Sequence, residues 1–195
     1  VIGDSVSMGY TPALRQQLAG KANVLRPEAN CGSTRIGLRD LDDWLGDTRW
    51  DVIHFNFGLH DLGYRWPDDQ TPNAGGVYAT PDNGGHQNVP VAEYERNLRQ
   101  LVARLRKTGA RLVFATTTPV PTTFHSYVKS AELPYNQAAL RVMQDEGVQV
   151  DDLWSYAVKQ LDAIQIPVNV HFTEAGSQVL ASQVARSIEA ILPRR

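Results

Sequence analysis

Short apolar runs rich in β-branched residues alternate along this chain with longer stretches in which apolar positions recur every three or four residues. The runs read as buried strands and the stretches as amphipathic helices. Val1-Ile2 opens the series as the end of a strand. Gly3 then permits a sharp turn into Asp4, Ser5 and Ser7, small polar residues suited to starting a helix. Residues 12–18 place Ala13, Leu14 and Leu18 on one helical face, with Gly20 as a stop, and Val24-Leu25 makes a short second strand. After a polar loop at 28–34, Ile36, Leu38, Leu41, Trp44 and Leu45 define a second helix, with Asp40, Asp42 and Asp43 on its solvated face. Residues 51–57 read as a central strand that ends in Gly58-Leu59-His60-Asp61. A helix over 91–107 buries Leu98, Leu101, Val102 and Leu105, and Gly109 ends it before a fourth strand at 111–115. A helix over 133–146 follows, with Tyr135, Ala139, Leu140 and Met143 as core contacts, then a fifth strand at 148–150. A helix over 153–164, an extended connection at 166–170 and a helix over 173–192, capped by Thr173, complete the order. Strand alternating with helix predicts an α/β fold, a five-stranded parallel sheet with helices on both faces, as one domain over 1–195.

Residues 63–90 break the pattern. Pro, Gly, Asn and Asp are interleaved there with Tyr64, Trp66, Tyr78 and His86, and no regular element is expected. A long inserted loop in a compact domain is usually functional or disordered, and its aromatics favour a binding surface. The alternative is a decoration without function. At 195 residues the chain can bury one substantial core without staples. A net charge of -2 gives no electrostatic footprint for nucleic acid or an anionic membrane, so neither partner is expected. The lone Cys31 cannot form an internal disulfide, no Cys/His spacing resembles a metal site, and no cofactor is called for. No apolar run is long enough to span a membrane and no signal peptide is visible. The chain starts within its first strand, so upstream residues are expected to have been removed or not included, which says nothing about compartment; the location stays open, with periplasmic or secreted slightly favoured.

In a parallel sheet the carboxyl ends of the strands share one edge, where ligands bind. That edge can bring together Ser5, Gly32, the loop 58–61 and the loop carrying His171. Ser5 alone could be no more than a helix-capping serine, and Asp4 more readily fixes the turn than does chemistry. With His171 as a neighbouring base it becomes a candidate nucleophile, and the amides of Ser5 and Gly32 with the His60 side chain can stabilise an oxyanion. A nucleotide-binding reading of residues 3–9 fails because the P-loop lysine and the full glycine fingerprint are absent.

Four motifs in order carry a resemblance: Gly3-Asp4-Ser5, Gly32, Gly58-Leu59-His60-Asp61 and Val170-His171-Phe172-Thr173. Together they resemble the SGNH or GDSL-type serine hydrolases over the whole chain. The resemblance implies a flavodoxin-like three-layer α/β/α fold and ester hydrolysis through an acyl-enzyme intermediate, with Ser5 and His171 catalytic and Ser5, Gly32 and His60 forming the oxyanion hole. Two departures stand out. The family usually has asparagine where this chain has His60, so the donor would be an imidazole N–H whose tautomer Asp61 or the local backbone must hold. His60 could instead be a second base or bind the leaving group. The family also commonly has aspartate three residues before the histidine, where this chain has Val168. A Ser5 and His171 dyad is expected, with a backbone carbonyl near Val168 accepting from His171 and Asp151, Asp152 or Glu174 as substitutes. Asn169 is the only polar side chain in Val168-Asn169-Val170.

Several further residues are candidates for substrate binding or for supporting the site. Arg35 could hold an anionic group. Asp61, Trp66, Tyr78 and His125 could line or support the pocket, and Asn30 and Asn56 lie near motif ends. His54, within a strand, reads as a hydrogen-bonded core residue. The expected activity is a serine esterase for a small acyl ester, acetyl by resemblance, on a carbohydrate, because Trp and Tyr faces stack on sugars. The alternatives are a non-catalytic carbohydrate-binding module derived from an esterase, or a lipase or thioesterase for other acyl groups. No long amphipathic lid supports a lipase.

Overall fold

The computed structural model describes residues 1–66 and 77–193. Its elements in order are α1 (Ser5–Gln17), α2 (Thr34–Leu45), β1 (Val52–Phe55), α3 (Leu59–Leu62), β2 (Tyr64–Arg65), β3 (His86–Gln87), α4 (Val91–Arg106), β4 (Arg111–Ala115), α5 (Glu132–Asp145), β5 (Gln149–Asp151), α6 (Leu153–Val158), α7 (Leu161–Ile164) and α8 (Glu174–Glu189). Strands β1, β4 and β5 form a parallel sheet in the order β1-β4-β5, with Phe55 opposite Phe114 and Ala115 opposite Asp151. Ile2 adds to the β1 edge as an isolated parallel bridge, donating to His54 O and accepting from Asn56 N.

One apolar cluster joins Ile53, Phe55 and Phe114 of the sheet to Leu41 of α2, Leu98, Leu101 and Leu105 of α4, and Val142 and Met143 of α5. A second joins Leu14 of α1 to Leu153 of α6 and to Leu180, Val184 and Ile188 of α8. The sheet is therefore covered on both faces, as its apolar strands require.

The alternation of strands and helices gives the α/β fold as expected, but the five-stranded sheet is corrected to three strands. Val24-Leu25 forms no ladder and touches its neighbour through Val1 N donating to Leu25 O at 2.7 Å. Two apolar residues between Asn23 and Pro27 are too short a run to pair. The expectation of no regular structure at 63–90 is also corrected. Strands β2 and β3 pair antiparallel, Tyr64 opposite Gln87, and residues 81–83 make one 3₁₀ turn capped by Thr80. Residues 67–76 of that loop lie outside the described residues. The helix expected over 153–164 divides into α6 and α7 because Gln160 leaves the helical region at φ -139°. Leu140, expected in the core, lies on the outer side of α5 and is 42% exposed. Among the described residues no helix is long and apolar enough to cross a membrane.

Candidate active site

The turn from Ile2 into α1 presents Ser5. Asp4 is buried and caps the helix, its Oδ1 accepting from Val6 N at 2.9 Å. The Ser7 hydroxyl donates to Asp4 O at 2.7 Å and closes the turn. Ser5 is the first residue of α1, so its own N–H has no intrahelical acceptor and sits at the positive end of the helix dipole.

His171 arrives from the other end of the chain. Gln165 bridges Phe172, Ile166 N donates to His171 O at 3.0 Å, and Thr173 N donates to Ile164 O at 2.9 Å, so residues 165–172 form a tight loop between α7 and α8. Thr173 caps α8 through Gly176 N, and α8 packs against α1. That packing brings Ser5 Oγ to 2.8 Å from His171 Nε2 across 166 positions of sequence. On the far side of the ring, Nδ1 lies 2.8 Å from Asn169 Oδ1, and the same oxygen accepts from the His171 backbone N–H at 3.0 Å. This corrects the expected backbone acceptor near Val168: the acceptor is the Asn169 side chain. Val168 is 61% exposed and sits at a left-handed φ of 52°. The carboxylates offered as substitutes are engaged or elsewhere. Asp151 pairs with His54 at 3.1 Å and with Gln183 at 2.8 Å, Asp152 caps α6, and Glu174 lies in the first turn of α8. Burial tends to raise Asp151, but the bonds from His54 and Gln183 outweigh it and hold the carboxyl below its usual value.

Gly32 lies beside the serine turn, tied there by Cys31 N donating to Gly3 O at 3.3 Å. Its φ of 60° suits glycine, and a Cβ would press on Ile36 Cδ1. The Gly32 amide donates to Asn30 Oδ1 at 3.0 Å. His60 sits on α3 with its carbonyl accepting from Asn88 Nδ2 at 2.9 Å. Burial holds its imidazole below the usual value, with Asp4 opposing and Arg65 and His171 adding to the effect, so the ring is neutral at neutral pH and offers one N–H.

Asp61 does not hold the His60 ring, as one expectation had it. Its Oδ1 accepts from Thr34 N at 2.9 Å and from the Thr34 hydroxyl, capping α2, while Asn97 Nδ2 donates to Thr34 Oγ1 at 3.1 Å. Its Oδ2 is buried without a partner among the described residues, and burial pushes the carboxyl up to about 7 although Thr34 pulls it down. Fully enclosed, Asp61 ties the segment after Gly32 to the loop of His60 through Thr34.

Arg35 is turned away from the anion-binding role: Nε and Nη2 grip the two oxygens of Glu93 at 2.6 and 2.7 Å. His125, at φ 53°, lies between Tyr78 and Phe124, with ring centroids at 3.9 and 3.7 Å. This segment joins the site loop through Tyr64 N donating to Ser126 O at 2.8 Å. Trp66 is half-buried, and its indole N–H is enclosed with no hydrogen-bond partner among the described residues. Asn56 donates to Ala115 O, and His54 is a buried, hydrogen-bonded core residue as expected. Two larger cavities, about 510 and 550 Å³, lie at the opposite end of the strands around Val1 and Trp50, and neither is lined by Ser5 or His171. Among the described residues no cluster of His, Cys, Asp or Glu is placed to hold a metal ion.

Sequence reasoning missed Asn169 as the partner of His171 and Asn30 as the partner of Gly32. A signal for both existed: an Asn side chain commonly accepts from the backbone N–H two residues on, and each Asn stands two residues before the group it holds.

The chain matches the sequence model of the GDSL-like Lipase/Acylhydrolase family over residues 1–179. No curated protein matches it. Its fold is similar to that of the acetyl xylan esterase AlAXEase, at 13% identity and TM-score 0.71, over 96% of this chain and 97% of the other. The lipase/acylhydrolase from Enterococcus faecalis aligns at 16% identity and TM-score 0.73, over 100% of this chain and 96% of its own. Axe2, an acetylxylan esterase from Geobacillus stearothermophilus, aligns at 16% identity and TM-score 0.70, over 96% and 91%.

Proposed function

The chain belongs to the GDSL-like lipase/acylhydrolase family, and we propose that it is a serine esterase that removes a small acyl group, acetyl first among them, from a carbohydrate. The observation that carries this reading is the 2.8 Å contact between Ser5 Oγ and His171 Nε2. As Oγ bonds to the ester carbonyl carbon, its proton passes to Nε2 and the carbonyl oxygen takes up the negative charge. The amides of Ser5 and Gly32 and the His60 N–H are the donors for that oxyanion, and the head of α1 adds its dipole. The substrate oxygen then takes over the Gly32 hydrogen bond that Asn30 holds in the free protein. Collapse of the tetrahedral species breaks the bond to the alcohol oxygen, which leaves with the proton from Nε2. A water molecule repeats the sequence on the acyl-enzyme and regenerates Ser5.

The carbohydrate part of the reading is supported by the aromatic group of Tyr78, Phe124 and His125, joined to the site loop through Tyr64, and by acetyl xylan esterases among the proteins of similar fold. The test is turnover of p-nitrophenyl esters of increasing acyl length beside an acetylated xylo-oligosaccharide. Faster turnover of acetate than of octanoate, together with acetate release from the oligosaccharide, is expected. Faster turnover of octanoate contradicts the acetyl assignment and favours a lipase or thioesterase.

One observation favours a second reading, a non-catalytic carbohydrate-binding protein: the Gly32 amide is already satisfied by Asn30. Labelling with a fluorophosphonate separates the two. An adduct on Ser5 supports the esterase, and sugar binding without an adduct supports the binding protein.

A further inference from the structure

We propose that Asn169 is the positioning residue that fixes the tautomer of His171, in a loop whose acceptor stands two residues before the histidine. This rests on the esterase reading and deepens it. An amide side chain can present either its oxygen or its NH₂ to a partner, and the two ends look alike by shape. Here the choice is forced by a group that can only donate. The His171 backbone N–H lies 3.0 Å from the Asn169 atom that also faces Nδ1 at 2.8 Å, so that atom is the oxygen. An oxygen facing Nδ1 requires Nδ1 to carry the proton. A neutral ring has one proton, so Nε2 is left with a bare lone pair, and it is Nε2 that faces Ser5 Oγ at 2.8 Å. The serine hydroxyl therefore donates to His171, the direction that activates it.

The opposite orientation shows what this bond prevents. An amide that turns its NH₂ toward the ring selects the wrong tautomer, an error that costs about 10⁴-fold in a Ser-His-Asp hydrolase whose aspartate is replaced by asparagine. In this chain such a flip sets NH₂ against the His171 N–H, donor against donor, so one short bond locks the amide and the ring together.

Val168 explains why the acceptor is not at the spacing of three. It occupies the left-handed region at φ 52° and is 61% exposed, so the backbone reverses there and its side chain lies in solvent. The next residue, Asn169, faces the ring. A carboxylate introduced at 168 therefore has no access to Nδ1, whereas one at 169 does. His60 on α3 interacts electrostatically with His171, and Asp4 at the cap of α1 and Arg65 on β2 act in turn on His60; all three are unchanged in every variant below.

The experiment combines ¹⁵N NMR of the His171 ring in the wild-type protein with pH profiles of kcat/KM on p-nitrophenyl acetate. The profiles cover Asn169→Ala, Asn169→Asp and the double variant Val168→Asp/Asn169→Ala. In the wild type the neutral ring is expected as the Nδ1–H tautomer. Asn169→Ala loses about 10²-fold in kcat/KM and admits the Nε2–H tautomer. Asn169→Asp stays active and moves the acid limb of the profile to higher pH, because a carboxylate favours the imidazolium and the base form then appears later. The double variant is as impaired as Asn169→Ala. An Nε2–H tautomer in the wild type, an Asn169→Ala variant within about threefold of wild type, or an unmoved acid limb in Asn169→Asp overturns the assignment. Restoration by Val168→Asp overturns the account of the loop. Failure of the esterase reading is separate, because it appears as Ser5→Ala retaining turnover.

Discussion

Three residues of the site are held by the same local device, a side-chain oxygen that accepts from the backbone N–H two positions on. Asp4 brackets Ser5 by accepting from Val6, Asn30 accepts from Gly32, and Asn169 accepts from His171. Such bonds depend on neighbours in sequence alone, which is why the motifs around Ser5, Gly32 and His171 are legible from residue order. Asn169 went unread because its second bond, to the ring, depends on the loop conformation that Val168 sets. That conformation has a cost. A β-branched residue at positive φ is strained by about 1–3 kcal/mol, so Val168→Gly is expected to keep the acid limb of the pH profile and to leave stability unchanged or raised, read by urea denaturation. At His60 the expectation concerns the transition state. On the oxyanion role proposed for it, His60→Ala is expected to lower kcat by about 10²-fold with a smaller change in KM, while His60→Asn retains most of it. Equal losses in both variants would point to a base or a leaving-group contact instead.

At the scale of elements, α2 and α3 are joined by one enclosed carboxyl. Asp61 caps α2 through Thr34 and leaves its second oxygen buried without a partner among the described residues. The sequence placed Asp61 in the right loop but not its target, since Thr34 lies 27 positions earlier and reaches it only through the packing of α2. Folded Asp61 titrates near about 7, against 3.8 for the free group, so between those values the folded state binds more protons than the unfolded one. The contribution of Asp61 to stability is therefore expected to fall as pH rises through that window, by on the order of 4 kcal/mol, against the opposite contributions of the depressed Val1 amino group and His60, and the difference between the wild type and Asp61→Asn isolates it. Urea midpoints at about pH 4.5 and 7.5 for both proteins test it. Gly58, which starts the same loop, has φ 150°, and a Cβ there would run into Thr117 Oγ1. Gly58→Ala is expected to cost about 2 kcal/mol or more in the same assay.

At the scale of the molecule, the parallel sheet and the packing of α8 on α1 make residues 5 and 171 neighbours. The order of helices was legible from apolar periodicity, and the approach of the Ser5 turn to the His171 loop was expected from the shared edge of the strands. The number of strands was not, because pairing depends on the partner's length as well as on local apolarity, and Val24-Leu25 is too short to use its neighbour. The hairpin of β2 and β3 was hidden because each strand is two residues long. The measurement that bears most directly on the esterase reading is hydrolysis of p-nitrophenyl acetate by the wild type, Ser5→Ala and His171→Ala at equal concentration, with folding verified by circular dichroism. Loss of about 10³-fold or more in kcat/KM in both variants is expected. Turnover in a folded Ser5→Ala equal to that of the wild type would contradict it.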